Sequence, residues 1–160
     1  MHYLIDAYNL LFFLTKKVNP IEKSRQDLID ALTSDLEHLK IKATLVFDSG
    51  NTHQAHFPHR HTKATVDIVF SPEGICADKY ILEILENTKN PHDVTVVTSD
   101  RQLSNQCKEL QAKIQSVEKF LGYLKKRHHK KTALPEKPQN SNAAYNAHLQ
   151  KIFEERLDEM

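Results

Sequence analysis

Tyr3-Leu4-Ile5-Asp6 is an apolar run that ends in a carboxylate, and Ala7-Tyr8-Asn9-Leu10-Leu11 follows it directly. The run predicts a buried strand that delivers Asp6 to one edge of a sheet, where α/β enzymes carry their active sites. Asp is also a favoured N-cap residue, so Asp6 can equally begin the helical turn that follows. This segment alone does not separate the two interpretations. They can be separated by asking whether the other predicted strands also end in a carboxylate.

The rest of the chain alternates strand-like runs with amphipathic segments. Short runs rich in β-branched and apolar residues predict further strands at 42–48, 66–70, 94–98 and 113–117. Apolar residues at helical spacing predict helices between them, one starting at the Asn19-Pro20 pair and others over 76–87, 102–111 and around 120–124. Strands that alternate with helices are joined by right-handed crossovers. We therefore expect an α/β fold, a three-layer α/β/α sandwich around a mostly parallel sheet.

The chain is long enough, at 160 residues, to fold around one sizeable core. We predict a domain at 1–128, a basic, Pro-containing linker at 129–141, and a C-terminal amphipathic helix at 142–160. The 22 Lys and Arg residues almost balance the 21 Asp and Glu residues, so the net charge does not select a class of partner. The distribution is more informative, since basic residues gather between 119 and 137.

Cysteine usage and hydropathy bear on the compartment. Cys76 and Cys107 lie in helical patterns and resemble small buried side chains, which fits a reducing environment. No apolar run approaches the ~18 residues of a membrane span, and the N-terminus does not resemble a signal peptide. We therefore expect a cytoplasmic protein with no membrane partner.

Aspartates follow several of the predicted strands. Asp48 and Asp100 end the second and fourth strands as Asp6 ends the first, and Asp78 lies in the first turn of a helix that opens onto the same edge. Because the carboxyl ends of parallel strands meet at one edge, these four carboxylates are expected to converge. Their repulsion requires protons or a cation, and oxygen ligands suit Mg²⁺ or Mn²⁺. Each Asp taken alone can also be a turn or cap residue.

Such a metal site predicts a reaction. A divalent ion held by carboxylates can activate water and hold a phosphodiester, so in-line hydrolysis of a nucleic acid is the natural chemistry. Asn9, one helical turn beyond Asp6, is expected to orient a ligand or a water through its amide. The Ser99 hydroxyl can contact a metal-bound water or a phosphate. Arg101 can contact a phosphate or can simply face solvent.

Two basic segments are candidate RNA contacts. The first is the aperiodic stretch 49–65, predicted as a loop, where Arg60 and Lys63 accompany four His residues whose spacing matches no standard zinc site. It is expected either to touch RNA phosphates or to be a solvated loop. The second is the run 125–131, whose clustered cations predict salt-sensitive, sequence-independent affinity, or only a solvated helix end. Its candidate phosphate contacts are Lys125, Lys126, Arg127, Lys130 and Lys131.

Four segments, at 4–11, 46–48, 77–81 and 96–101, together resemble the YacP-type NYN domain, a branch of the PIN-like nucleases. The resemblance runs in the family's order over about 1–124. It implies a PIN-like sandwich, an acidic site that binds Mg²⁺ or Mn²⁺, and endoribonuclease activity. Some members act on messenger RNA at the ribosome, so RNA and the ribosome are the implied partners. Carried over residue by residue, the catalytic and metal-binding positions are Asp6, Asn9, Asp48, Asp78 and Asp100.

The chain departs from the family pattern at Ala7, where Gly is common, and the His-rich loop and the C-terminal helix cannot be matched. The leading hypothesis is a metal-dependent endoribonuclease. The alternatives are an RNA-binding or ribosome-associated module with the same fold and no turnover, and a phosphatase or DNA-directed nuclease of similar geometry. The helix at 142–160 is expected to fold back on the domain or to pair with a second copy as a homodimer.

Overall fold

The central sheet can be followed in the computed structural model, which describes residues 1–15, 21–49 and 60–132, apart from the side chains of 21–22 and 129–132. Its strands are β1 (His2–Asp6), β2 (Ala43–Phe47), β3 (Arg60–Lys63), β4 (Val66–Phe70), β5 (Val94–Val97) and β6 (Lys113–Gln115). Their order across the sheet is β3-β4-β2-β1-β5-β6. Every neighbouring pair is parallel except β3 and β4, so the mostly parallel sheet is confirmed.

Helices cover both faces of this sheet. They are α1 (Ala7–Leu14), α2 (Ile21–His38), α3 (Ala77–Glu86), α4 (Arg101–Glu109) and α5 (Val117–Thr132). Alternate side chains of β1 point to opposite faces, as strand geometry requires: Tyr3 and Ile5 pack with α1, α2 and α5, whereas Leu4 packs with α3 and α4. The predicted three-layer α/β/α sandwich is therefore confirmed.

The register of the sheet sets the position of the site. Ile5 lies opposite Leu45 of β2 and Val97 of β5, and Asp6 lies opposite Val46. Both Ile5 and Leu45 are fully buried, and a fully buried aliphatic side chain contributes about 1.5–3 kcal/mol. A shift of register by one residue would turn these side chains to the other face. The packed core therefore brings the residues that follow β1, β2 and β5 to one edge of the sheet.

Three segments differ from the sequence-based expectations. Helix α1 begins directly after Asp6, where only a short apolar turn was expected around 10–14. Strand β3 lies inside the stretch 49–65 that was predicted as a loop. It was missed because all its side chains are exposed and it has no apolar period; its antiparallel pairing with β4 is accompanied by an ion pair between Arg60 and Asp67.

Helix α5 continues through Thr132, so the first residues of the linker predicted at 129–141, up to Thr132, belong to this helix. Lys and Arg are good helix formers, and an interrupted apolar period does not end a helix that they continue. The remainder of the predicted linker and the helix at 142–160 lie outside the described residues, as do the Asn19-Pro20 cap and residues 50–59. None of the described helices is long and apolar enough to cross a membrane.

Candidate active site

A pocket of about 270 Å³ opens where β1 and β2 end and α3 begins. Its walls carry three of the four predicted metal ligands, contributed by three separate parts of the chain. The lining residues are Asp6, Tyr8, Phe12, Asp48, Cys76, Ala77 and Asp78. We expected carboxylates from distant segments to meet at one edge of the sheet. Asp6, Asp48 and Asp78 are arranged in this way.

Asp6 is buried at the junction of β1 and α1. It occupies the N-cap position of α1 with an extended backbone (φ −72°, ψ 95°), yet its side chain makes no capping hydrogen bond. Burial raises the pKa of Asp6 to about 6, with further contributions from the negative charges of Asp78 and Asp100. The Asn9 backbone N–H, which is near the carboxylate but does not complete a capping hydrogen bond, and the Thr98 hydroxyl lower the pKa and so offset part of this rise. A carboxylate held at such an electrostatic cost is not explained by a capping role.

Asp78 lies in the first turn of α3 and shares this environment. Partial burial, followed by the charges of Asp100 and Asp48, raises the pKa of Asp78 above its usual value. The shifts of Asp6 and Asp78 therefore involve all four predicted carboxylates. A cluster that raises the pKa of its own members carries excess negative charge, which a cation relieves.

Asp100 has two roles in the structure. Its side chain accepts the backbone N–H of Leu103 at 3.1 Å and caps α4, which is the ordinary structural role of an Asp at this position. Its charge also raises the pKa of Asp6 and Asp78. Asp100 is not part of the pocket wall, so the structure brings it near the other three carboxylates without placing it among them.

Thr98 connects Asp6 to Asp100 and was not singled out from the sequence. Its hydroxyl is buried, donates to Asp6 Oδ2 at 3.4 Å and accepts the backbone N–H of Asp100 at 3.1 Å. The sequence contained a signal for it, since Thr98 is the last residue of the β-branched run before Ser99-Asp100. Without a structure, that run is fully explained by strand propensity.

Asn9 and Ser99 bond to each other across the site. The Ser99 backbone N–H donates to Asn9 Oδ1 at 2.8 Å, and the Ser99 hydroxyl accepts the backbone N–H of Val117 at 3.4 Å. These bonds join α1, the end of β5 and the start of α5. Ser99 thus uses one of the two lone pairs of the Asn9 carboxamide oxygen, and the Asn9 NH₂ group is a donor that can bind a substrate oxygen. We therefore expect Asn9 to orient a substrate oxygen through this NH₂ group.

The basic residues of β3 are not brought to the pocket. Arg60 pairs with Asp67 at 2.9 Å and Lys63 with Asp30 at 3.4 Å. Three strand spacings separate β3 from β1, roughly 14 Å. Lys63 lies opposite Val66, at the amino edge of the sheet, whereas Arg60 lies opposite Val69, near the carboxyl edge. Of the two, only Arg60 is on the same edge as the carboxylates.

The basic run on α5 lies at the opposite end of the sheet from the pocket. α5 begins beside Ser99 and runs back, so that Arg127 donates to the Leu39 carbonyl, just before β2 starts, at 3.3 Å. Lys125 is buried, burial lowers its pKa, and its Nζ has no hydrogen-bond partner within the described residues. Lys125 is therefore not a phosphate contact in this conformation. Lys126 is exposed, and the side chains of Lys130 and Lys131 lie outside the described residues. Arg101, at the start of α4, is exposed near the site.

The donor set fits Mg²⁺ or Mn²⁺ in chemistry. In the part of the chain that the structure describes, no three His, Cys, Asp or Glu side chains are grouped closely enough to hold an ion as they stand. The pocket nevertheless presents carboxylates from three segments, and the pKa values of Asp6 and Asp78 are raised first by burial and then by their acidic neighbours, so a bound cation would favour their ionised forms. Oxygen ligands of this kind suit hard divalent cations. The candidate ligands are Asp6, Asp48 and Asp78, with Asp100 nearby.

The fold also resembles solved structures. One is a crystal structure of a point mutant of Rae1 (YacP) from Bacillus subtilis, with a TM-score of 0.63 and 19% identity over 95% of this chain and 92% of that chain. A second crystal structure of Rae1 (YacP) from Bacillus subtilis gives a TM-score of 0.62 and 20% identity over 82% of this chain and 78% of that chain. At this identity the likeness shows the fold.

A comparison with curated proteins found no match. The family model of the YacP-like NYN domain, by contrast, matches residues 3–160. The match includes β1 from Tyr3 onward, the carboxylate pocket and all the described helices. The chain therefore belongs to the YacP-like NYN domain family, a family of PIN-like nucleases.

Proposed function

We propose that the protein is a metal-dependent endoribonuclease that hydrolyses RNA phosphodiester bonds. One observation carries the proposal: Asp6, Asp48 and Asp78 line a single pocket, and the pKa of Asp6 is raised to about 6 by burial and by its acidic neighbours. Membership of a PIN-like nuclease family supports phosphodiester hydrolysis as the reaction. RNA as substrate, the ribosome as a partner and the cytoplasm as the compartment follow from the resemblance and the composition.

The residues of the site divide into ligands and supports. Mg²⁺ or Mn²⁺ bound by Asp6, Asp48 and Asp78 would neutralise charge on the phosphodiester and make water a better nucleophile. Asp100 adds negative charge next to these ligands and fixes the start of α4. Thr98 holds Asp6 in place through its hydroxyl, and the Asn9 oxygen holds Ser99, which leaves the Asn9 NH₂ group as a donor for a substrate oxygen.

The direct test measures cleavage of labelled single-stranded RNA by the full chain with Mn²⁺, with Mg²⁺ and with EDTA. Cleavage is expected with either ion, to stop with EDTA, and to be lost in Asp6→Asn and Asp78→Asn. Asp93→Asn is a matched control, because Asp93 is an exposed carboxylate just before β5, at the opposite edge of the sheet. Cleavage that persists in Asp6→Asn, or that is lost equally in Asp93→Asn, would rule out the assigned site.

An RNA-binding module without turnover is the second candidate, favoured by the absence of a closely grouped ligand set among the described residues. It predicts RNA affinity that is the same with EDTA and with Mn²⁺, and no product on any RNA, ribosome-bound message included. The two candidates are thus separated by measuring binding and cleavage on the same RNA samples.

A further inference from the structure

Phe12 is exposed beside the carboxylates. It lies on α1, whose Leu10, Leu11 and Leu14 are completely buried, so the helix already has a full apolar face toward the core. Phe12 points elsewhere: 52% of its surface is exposed, and it lines the same pocket as Asp6, Asp48 and Asp78. A phenylalanine that is half exposed forgoes part of the hydrophobic free energy that its burial would give. Its position in the pocket wall indicates a role in binding.

Tyr8, one helical turn before Phe12, gives this ring a firm support. The two rings are stacked, with centroids 6.0 Å apart and an interplanar angle of 21°. The Tyr8 ring meets Phe47 edge to face at 5.2 Å, and its hydroxyl accepts a hydrogen bond from Arg25 Nη1 at 3.2 Å. Arg25 is buried and its guanidinium lies over the Phe70 ring. Tyr8 is thus held from two sides, and Phe12 rests on a fixed surface.

The pocket is therefore lined by two chemically different kinds of side chain. One kind is the carboxylates of Asp6, Asp48 and Asp78, and the other is the rings of Tyr8 and Phe12. At about 270 Å³ it lies just below the ~300–1,000 Å³ of pockets for drug-sized ligands, which suits a single nucleotide better than a longer stretch of chain. A nucleotide has a part that suits each kind of side chain. Its aromatic base can stack on the rings, and its phosphate can reach the carboxylates through a cation.

We infer that Tyr8 and Phe12 form a stacking platform for a nucleobase adjacent to the phosphodiester that is cleaved. The inference rests on the proposed function, because the carboxylates of the pocket give the base its partner phosphate through a cation. A nucleobase is favoured over an apolar protein side chain because three carboxylates line the same small pocket; a cation relieves their repulsion and can in turn bind the phosphate that is attached to the base. Base stacking on aromatic rings is tolerant of sequence, so the platform contributes affinity and position and little sequence preference.

Phe13 provides a matched control. It is the next residue of α1 and similarly exposed, at 44%, but it is not part of the pocket wall. We compare the full chain with Phe12→Leu, Phe12→Trp and Phe13→Leu, measuring kcat and KM for cleavage of single-stranded RNA. Phe12→Leu is expected to raise KM at least about fivefold, because the loss of one base–aromatic stack has an effect of this size or larger. Phe12→Trp should restore KM, and Phe13→Leu should match the parent protein.

A second readout does not depend on cleavage. RNA carrying the fluorescent base 2-aminopurine at successive positions is bound to the full chain, with and without Phe12→Leu, in the presence of Ca²⁺ in place of Mn²⁺, since Ca²⁺ also takes carboxylate ligands. Stacking quenches this base, so quenching at one position that Phe12→Leu removes and Phe12→Trp retains supports the platform. Because stacking is not an ion-exchange contact, the salt dependence of RNA affinity should be unchanged by Phe12→Leu.

The two readouts separate the failure of this inference from that of the proposed function. Phe12-dependent quenching without cleavage by any variant would uphold the platform and refute hydrolysis. Cleavage and quenching that are unaffected by Phe12→Leu would refute the platform and leave hydrolysis in place. A change in oligomeric state in Phe12→Leu, seen by light scattering with unaltered RNA binding, would show that the ring contacts a second copy and would also overturn the inference.

Discussion

The side-chain oxygen of Asn9 accepts the backbone N–H of Ser99 at 2.8 Å and so joins the first helix to the end of β5, across 90 residues of sequence. Asn9→Ala removes this acceptor and leaves the Ser99 N–H to water. We expect a loss of about 1 kcal/mol in the free energy of unfolding, measured by urea denaturation, together with weaker RNA cleavage. Full activity in Asn9→Ala would mean that neither the bond nor the Asn9 NH₂ group supports the site.

The raised pKa of Asp6 predicts a pH dependence of stability. Because its pKa is about 6 in the folded chain, against 3.8 for an unperturbed Asp, the folded form binds the proton more tightly than the unfolded form does. The resulting stability is fully present below about pH 4 and is lost as the pH rises through 6, a change of about 3 kcal/mol. In EDTA, Asp6→Asn should lack this loss and be more stable than the parent at pH 7. If the free energy of unfolding, measured by urea denaturation, changed with pH from 4 to 8 in the same way in the parent and in Asp6→Asn, the assignment would be contradicted.

Metal binding should offset the loss of folding stability that the ionised Asp6 causes. An ion at 100 times its dissociation constant adds about 2.7 kcal/mol to a folded state that alone binds it. We expect Mn²⁺ to raise the Tm of the parent protein and of Asp93→Asn, and to have little effect on Asp6→Asn or Asp78→Asn. Equal shifts in all four proteins would indicate that the ion binds outside the pocket.

Thr98 is expected to lower the pKa of Asp6 through its hydrogen bond without contacting the substrate. Thr98→Val removes the hydroxyl that donates to Asp6 in a buried bond and accepts the Asp100 N–H in a partly buried one. Leaving such a group unsatisfied costs about 1–3 kcal/mol, and loss of the bond should raise the pKa of Asp6 further. The pH midpoint of the stability change should therefore move upward in Thr98→Val and stay in place in Thr98→Ser, which keeps the hydroxyl.

Lys126 tests the exposed part of the basic run. It belongs to the section of α5 that lies toward the amino edge of the sheet, away from the pocket. Lys126→Gln should leave the cleavage of very short RNA unchanged, weaken the binding of long RNA, and lower the salt slope of that binding by about 1. Equal effects on short and long RNA would place this lysine at the pocket.

The fold was largely predictable from local pattern. The apolar β-branched runs and the helical spacing gave the order of strands and helices. β3 and the end of α5 were missed, because charged residues dominate both and their structure depends on partners in space, such as Asp67 for Arg60 and the Leu39 carbonyl for Arg127.

The carboxylate site was predictable for a different reason: parallel strands end at one edge, so Asp6 and Asp48 had to be neighbours. What no pattern contains is the direction of each side chain. Asp100 turned toward Leu103 as a cap, Lys125 became buried, and Thr98 and Phe12 joined the site. These outcomes follow from tertiary packing, which the spacing of residues does not determine.

The basic run and the acidic pocket lie at opposite edges of the sheet. The length of the strands therefore sets the shortest substrate that can reach both. A strand of five residues such as β1 spans about 17 Å. A stacked nucleic-acid strand advances about 3.4 Å per nucleotide, so a substrate that engages both ends has a footprint of at least about five nucleotides. A fragment shorter than this footprint reaches only one of the two ends. Cleavage products of that length would therefore bind more weakly and dissociate.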